Sequence, residues 1–447
     1  MQITRHYLTI DGAFGTNRRV HFRRCGSGPP LLMVHQSPRS SAEYESLMKQ
    51  WGEYFTCIAP DTPGFGQSDP LDHPKPEIAD YADAVGEFVR AMNIAPCAAY
   101  GFHSGGIICV TVIKRQPELF TALAVGGYAV WTEAEMDLFG TSYLPAFQPS
   151  KYGEHLTWLW NRILEQSWFF PWFDTSDKAR LSVAHADPER VQAIVMEMLD
   201  SREYYQAGYG AVLRAPRDIP AVNSNVPPCL IVAFDGDPLQ EHIDRLGEMP
   251  ANWSARKVRT PADLETDCLE FLKNYAGETP DQYPQDKDTG WLEVNGGLVH
   301  WRGTKGAKRL VLHNPGAELS EPAADEIAID APGHGLSDEN PDIVGTIAQA
   351  AAALGAEVIV WPEPPVGDPA LLYPDLTPDR FGTHLAKAWG IARAQAIFEP
   401  WYAADAGHAA PVDPAALKPA AIAQRARALL RAGTSARRYH DALANRI

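Results

Sequence analysis

Three short stretches carry side chains able to do chemistry, and each follows an apolar run. After Cys97-Ala-Ala-Tyr100 comes Gly101-Phe102-His103-Ser104-Gly105-Gly106, which sets an imidazole and a hydroxyl among glycines. An imidazole titrates near pH 6.5, so His103 can serve as general base or nucleophile near neutrality. After Leu31-Leu-Met-Val34 comes His35-Gln36-Ser37-Pro38-Arg39, whose guanidinium can hold a carboxylate bidentately. After Cys229-Leu-Ile-Val-Ala233 comes Phe234-Asp235-Gly236-Asp237-Pro238, which supplies carboxylates. The six cysteines (Cys25, Cys57, Cys97, Cys109, Cys229, Cys268) form no CxxC or zinc-spaced cluster, and the glycine-rich turn is not a dinucleotide GxGxxG. No metal and no cofactor are expected.

The elements that must position these residues alternate along the chain. Residues 31–34, 55–58, 97–100, 123–125 and 229–233 read as buried strands, while 78–92 and 105–114 carry helical spacing. Such alternation implies an α/β fold: a mostly parallel sheet covered by helices on both faces. Residues 131–220 interrupt it with a helical segment rich in tryptophan and tyrosine. An insertion before the last strands fits a lid over a site at the strand C-termini. His155 and Trp158, near the start of one lid helix, are candidate substrate contacts.

The chain also repeats itself. Val20-His-Phe-Arg23 returns as Val299-His-Trp-Arg302 at an offset of 279, and Asp61-Thr-Pro-Gly-Phe-Gly-Gln-Ser-Asp69 returns as Asp330-Ala-Pro-Gly-His-Gly-Leu-Ser-Asp338 at 269. Gly153, His155, Leu156, Trp160, Gln166, Phe169, Pro171 and Trp172 match Gly382, His384, Leu385, Trp389, Gln395, Phe398, Pro400 and Trp401, all at 229. The falling offset means that 40 residues, those around the glycine-rich turn, have no counterpart in the second copy. Residues 1–276 therefore read as one domain, 277–289 as a polar linker, and 290–447 as a truncated repeat without catalytic residues of its own. Because the lid residues match best, the repeat is expected to pair with the first copy as a second subunit would; a homo-oligomer is the alternative.

Residues 20–276 resemble the α/β-hydrolase superfamily. The strand ending His35-Gln36, the Asp61–Asp69 turn, the Gly101–Gly106 elbow and the Asp235-Gly-Asp237-Pro loop carry that resemblance. It implies a nucleophile elbow of the pattern small-x-apex-x-small. Mapped onto Gly101–Gly105 the apex is His103, where the family carries serine, cysteine or aspartate; an apex at Ser104 would put Phe102 in a small-residue position. The resemblance further implies Asp237 as the orienting carboxylate, backbone N–H groups of Gln36 and Ser104 as the oxyanion hole, and His35, Ser37 and Arg39 at the mouth of the site. The family's late histidine is missing, since Trp253–Glu265 contains none. Glu241 and His242 read as solvated helix residues, and Asp61 as the organiser of its own turn.

These features support a hydrolase acting on a small carbonyl compound (ester, lactone or carbon–carbon bond), with His103 central, Ser104 as an unusual nucleophile held open, and an apolar or aromatic substrate. A cofactor-free lyase using His103 as a proton shuttle and a non-catalytic ligand-binding protein are the alternatives. The formal net charge of −17 excludes a phosphate-neutralising, nucleic-acid-binding surface. No apolar run is long enough for a membrane span, and the N-terminal residues lack a secretory layout, so a reduced cytoplasmic setting is expected.

Overall fold

The apolar runs become the strands of two sheets, in a computed structural model that describes residues 1–11, 17–182 and 184–446. The chain divides into two compact units, one of residues 1–147, 163–186 and 193–285 and the other of residues 148–162, 187–192 and 286–447. The division differs from a single cut at the linker: two stretches of the expected lid belong to the second unit.

In the first unit an antiparallel ribbon, β1 (Thr4–Asp11) and β2 (Asn17–Cys25), leads into β3 (Pro30–Val34), β4 (Thr56–Pro60), β5 (Cys97–Phe102), β6 (Phe120–Gly126), β7 (Cys229–Phe234) and β8 (Trp253–Val258). The strands lie in the order β1-β2-β4-β3-β5-β6-β7-β8, parallel from β4 onward. Strands β3 and β4 are buried along their whole length, as expected of parallel strands covered on both faces. The helices up to residue 285 are α1 (Glu45–Trp51), α2 (Ile78–Ala91), α3 (Ser104–Arg115), α4 (Glu133–Ser142), α5 (Glu154–Trp168), α6 (Pro188–Ser201), α7 (Tyr204–Leu213) and α8 (Pro261–Lys273); α5 and α6 each begin in the second unit and end in the first. Leu32, Val34, Phe88, Val110 and Val125 build the core on one face, and Met33, Trp51, Tyr100, Leu230 and Leu264 that on the other.

The second unit holds β9 (Thr289–Val294), β10 (Gly297–Gly303), β11 (Arg309–Leu312), β12 (Glu326–Ile329) and β13 (Val358–Val360), in the order β13-β11-β12-β10-β9. Its further helices are α9 (Ile343–Leu354), α10 (Pro369–Leu372), α11 (Thr383–Ala394), α12 (Pro419–Ala432) and α13 (Ser435–Ala444).

The local geometry recurs at the sequence offsets. His21 Nδ1 donates to Asp61 Oδ2 at 2.8 Å, as His300 Nδ1 does to Asp330 Oδ2 at 2.8 Å. Trp172 Nε1 donates to Tyr143 O at 3.1 Å and Trp401 Nε1 to Leu372 O at 3.1 Å. Helices α6 and α12 have 14 residues each, and α7 and α13 have 10 each, with starts a further 231 residues along. The two sheets differ after β5 and β13. From β5 the chain runs through α3 and β6 to α4, whereas only residues 361–368 separate β13 from α10.

Candidate active site

His103 is the apex of a strained turn between β5 and α3. Its φ of +47° is a left-handed value that non-glycine residues rarely adopt. The flanking glycines are sterically required: a Cβ on Gly101 would lie 2.5 Å from Gly105 O, and one on Gly105 would lie 1.8 Å from Val34 O. The turn is pinned where it leaves the sheet by His103 N–H donating to Gly126 O at 2.8 Å. The imidazole stacks on Phe102, ring centres 4.1 Å apart.

The carboxylate arrives from the loop after β7. His103 Nε2 lies 3.1 Å from both Asp237 oxygens and donates to them. The Asp237 side chain has no solvent exposure, and Leu239 N–H also donates to it at 2.7 Å. Burial pushes this carboxyl up, but the charge and hydrogen bond of His103 and the Leu239 N–H outweigh that and hold it below the usual range. An ionised acid thus fixes the imidazole with Nε2 protonated. His103 Nδ1 has no protein partner among the described residues.

A cavity of about 40 Å³ adjoins this pair, lined by Gln36, Ser37, His103 and Ser104 and walled by Ile107, Trp131, Phe170, Tyr209, Leu213 and Leu239. It has room for a few waters. Four of the expected site residues therefore face it, with Asp237 directly behind. Trp131, Phe170 and Tyr209 form the aromatic wall; the aromatic richness of 131–220 signalled such a wall without indicating which rings would reach the cavity.

Other assignments require correction. The Gln36 N–H is not an open oxyanion donor: it donates to Glu43 Oε1 at 2.7 Å, and the Gln36 side chain donates to Oε2 at 3.0 Å. The neighbouring Ser37 N–H faces the site and donates to Ser104 Oγ at 2.6 Å. His35 is buried and both its nitrogens are committed. Nδ1 donates to Gln36 O at 2.9 Å, and Nε2 accepts the Thr62 N–H at 2.9 Å. Burial lowers its pKa, so it is a neutral structural link. Arg39 pairs with Glu197, which also accepts from Ser40 Oγ at 2.8 Å, and Arg39 does not line the cavity. His155 and Trp158 belong to the second unit and are not among the residues around His103. His242 is buried rather than solvated; it accepts the Val130 N–H at 3.0 Å and stands edge-on to Trp131. Asp61 accepts Gln67 N–H from its own turn, but also His21 Nδ1 and Ser41 N–H, so it ties three segments together.

Glu43 was invisible to motif reading. It is buried, and desolvation lifts its carboxyl to about 7 against the opposing charge of Arg39 and the Gln36 donors.

A parallel sheet with its turn apex at a strand C-terminus and a carboxylate after a later strand defines the α/β-hydrolase class. Residues 29–141 match the family model described as alpha/beta hydrolase fold. Among characterised relatives it is 27% identical over 134 residues to haloalkane dehalogenase 2 of Mycobacterium tuberculosis, covering 30% of this chain and 47% of the relative. It is 31% identical over 120 residues to 2-(acetamidomethylene)succinate hydrolase of Mesorhizobium japonicum, covering 26% and 41%. The chain thus spans less than half the length of these relatives. Among solved structures it is similar to a thermophilic esterase from Thermogutta terrifontis, with a TM-score of 0.46, 15% identity, and coverage of 61% of this chain and 99% of that one. No helix among the described residues is long and apolar enough to cross a membrane.

Proposed function

We propose that the protein is a hydrolase of a small, apolar or aromatic carbonyl compound, in which His103 is the general base for water rather than the partner of a serine nucleophile. The observation that carries this reading is the His103–Asp237 pair: an imidazole at the elbow apex, its Nε2–H held by a buried carboxylate, its Nδ1 left to accept a proton.

In this reading a water beside His103 gives its proton to Nδ1 as its oxygen bonds to the substrate carbonyl carbon. Asp237 stabilises the imidazolium so formed. The carbonyl oxygen becomes an oxyanion at the start of α3, where the Ser104 N–H is the first of the helix and has no intrahelical acceptor. The Ser37 N–H joins it once Ser104 Oγ turns aside. Collapse of the intermediate breaks the bond to the leaving group, which takes the proton back from Nδ1. The aromatic wall favours an apolar body on the substrate. Similarity to relatives named for hydrolysis of a small acid and for dehalogenation supports the broad class.

The test is treatment of the whole chain with a fluorophosphonate probe followed by peptide mass analysis. No adduct is expected on Ser104; an adduct there would assign the chemistry to a serine nucleophile.

We also propose that residues 290–447 are a truncated repeat of the first copy with a structural role. The recurring hydrogen bonds and strand order support this reading, as does the absence of an α3 or β6 equivalent between β13 and α10.

A further inference from the structure

The second unit contains a cavity of about 550 Å³, far larger than the one beside His103. Its position follows from the recurrence. Residues 314–318, which line it, stand at the offset of residues 36–40. In the first unit the corresponding space is closed by α3: Gly105 packs on Val34 O, and Ser104 Oγ meets Ser37 N–H. With only residues 361–368 between β13 and α10, nothing equivalent closes the end of β11.

The walls of this cavity are chemically selective. Tyr373, Phe398 and Trp401 supply aromatic surface, and α12 contributes Gln424 and Arg425. Arg425 is half-buried, donates to Ala416 O at 3.3 Å, and makes no ion pair among the described residues. Two carboxylates share the lining. Glu318 is already engaged by Arg427 at 3.6 Å and Arg431 at 3.5 Å, and by the Gln424 amide at 3.3 Å; Glu399 is exposed to solvent. Glu318 is thus already neutralised by Arg427 and Arg431, and Arg425 is the one arginine among the described residues of the lining. A volume of this size is in the range that holds a small organic molecule.

We propose that this cavity is a second binding site, for a small monocarboxylate with an aromatic or apolar body. Arg425 takes the carboxylate, and Phe398 and Trp401 take the ring. The site is independent of the chemistry at His103 and catalyses nothing itself.

Isothermal titration of phenylacetate into the full chain, with phenylacetamide as the neutral isostere, tests this. Saturable binding of phenylacetate is expected, weakened about tenfold or more in Arg425→Gln and for phenylacetamide on the unaltered protein. His103→Ala should leave the affinity unchanged. Absence of saturable phenylacetate binding, equal affinity for the amide, or equal affinity in a folded Arg425→Gln variant would each overturn the proposal. The isostere comparison needs no variant, so it holds even where a substitution disturbs folding.

Discussion

Trp160 and Trp389 exchange partners: the ring of His155 stands edge-on to Trp389 at 4.9 Å, and the ring of His384 stands edge-on to Trp160 at 5.1 Å. These residues are related by the offset 229, so each copy's histidine meets the other copy's tryptophan. The glycines repeat the exchange. A Cβ on Gly153 would lie 2.7 Å from the Trp389 ring, and one on Gly382 would lie 2.5 Å from the Trp160 ring. This is the reciprocity of an isologous contact, made within one chain and wholly inside the second unit.

The two tryptophans differ in one polar detail that makes the contact testable. Trp160 Nε1 donates to Arg380 O at 3.1 Å, whereas Trp389 Nε1 is buried without an acceptor among the described residues. Trp160→Ala and Trp389→Ala should each cost about 3–5 kcal/mol. Trp389→Phe should be milder than Trp160→Phe by about 1 kcal/mol, because it removes no hydrogen bond. Denaturant midpoints measure both; the opposite order for the phenylalanine variants would refute the polar assignment.

Gly105→Ala probes the elbow. Its Cβ would meet the rigid carbonyl of Val34 at 1.8 Å, and neither β3 nor α3 can retreat without unpacking the core. A loss of about 3 kcal/mol or more is expected in denaturant unfolding, at the upper end for overpacking. A near-neutral result would mean that the turn is not the close approach described.

Glu43 predicts a pH dependence. Its folded pKa of about 7 lies above the unfolded value of about 4.3, so the folded state holds the proton more tightly. Its contribution to stability is therefore fully present below pH ~4 and is lost as pH rises through about 7, a decline of about 3 kcal/mol. Glu43→Gln can still accept the Gln36 N–H and should remove most of this decline. Unfolding free energies of both proteins at pH 5 and pH 8 provide the check; identical slopes would contradict it.

Asp237 acts with the opposite sign. Its pKa is depressed by His103 and the Leu239 N–H, so it stabilises the fold above the unfolded value near pH ~3.9 and loses that contribution as pH falls through its lower folded value. Asp237→Asn should flatten this acid limb. On any substrate turned over, it should also lower kcat about a hundredfold or more by removing the imidazolium's counter-charge. A variant with unchanged kcat would exclude the pair from the chemistry.

Much of this arrangement was legible from the sequence because it depends on local rules. Apolar runs of strand length, glycines on both sides of His103 and the carboxylate after β7 located the sheet, the turn and the His103–Asp237 pair. The errors came where tertiary partners decide a residue's role. Arg39 is drawn away from the cavity by Glu197, which lies 158 residues further on, and the Gln36 N–H is taken by Glu43, whose burial no motif signals. His155 carries the lid pattern, but folding places it against Trp389. On the repeat proposed above, His155 corresponds to His384, whose copy has no elbow, and both histidines pack edge-on against tryptophans.

The role of His103 as base is measured by comparing His103→Ala and Ser104→Ala with the unaltered protein on a panel of small aryl esters and lactones. His103→Ala is expected to lose about a hundredfold or more in kcat/KM, while Ser104→Ala stays within about tenfold. Full turnover in His103→Ala, or its abolition in a folded Ser104→Ala, would contradict that role.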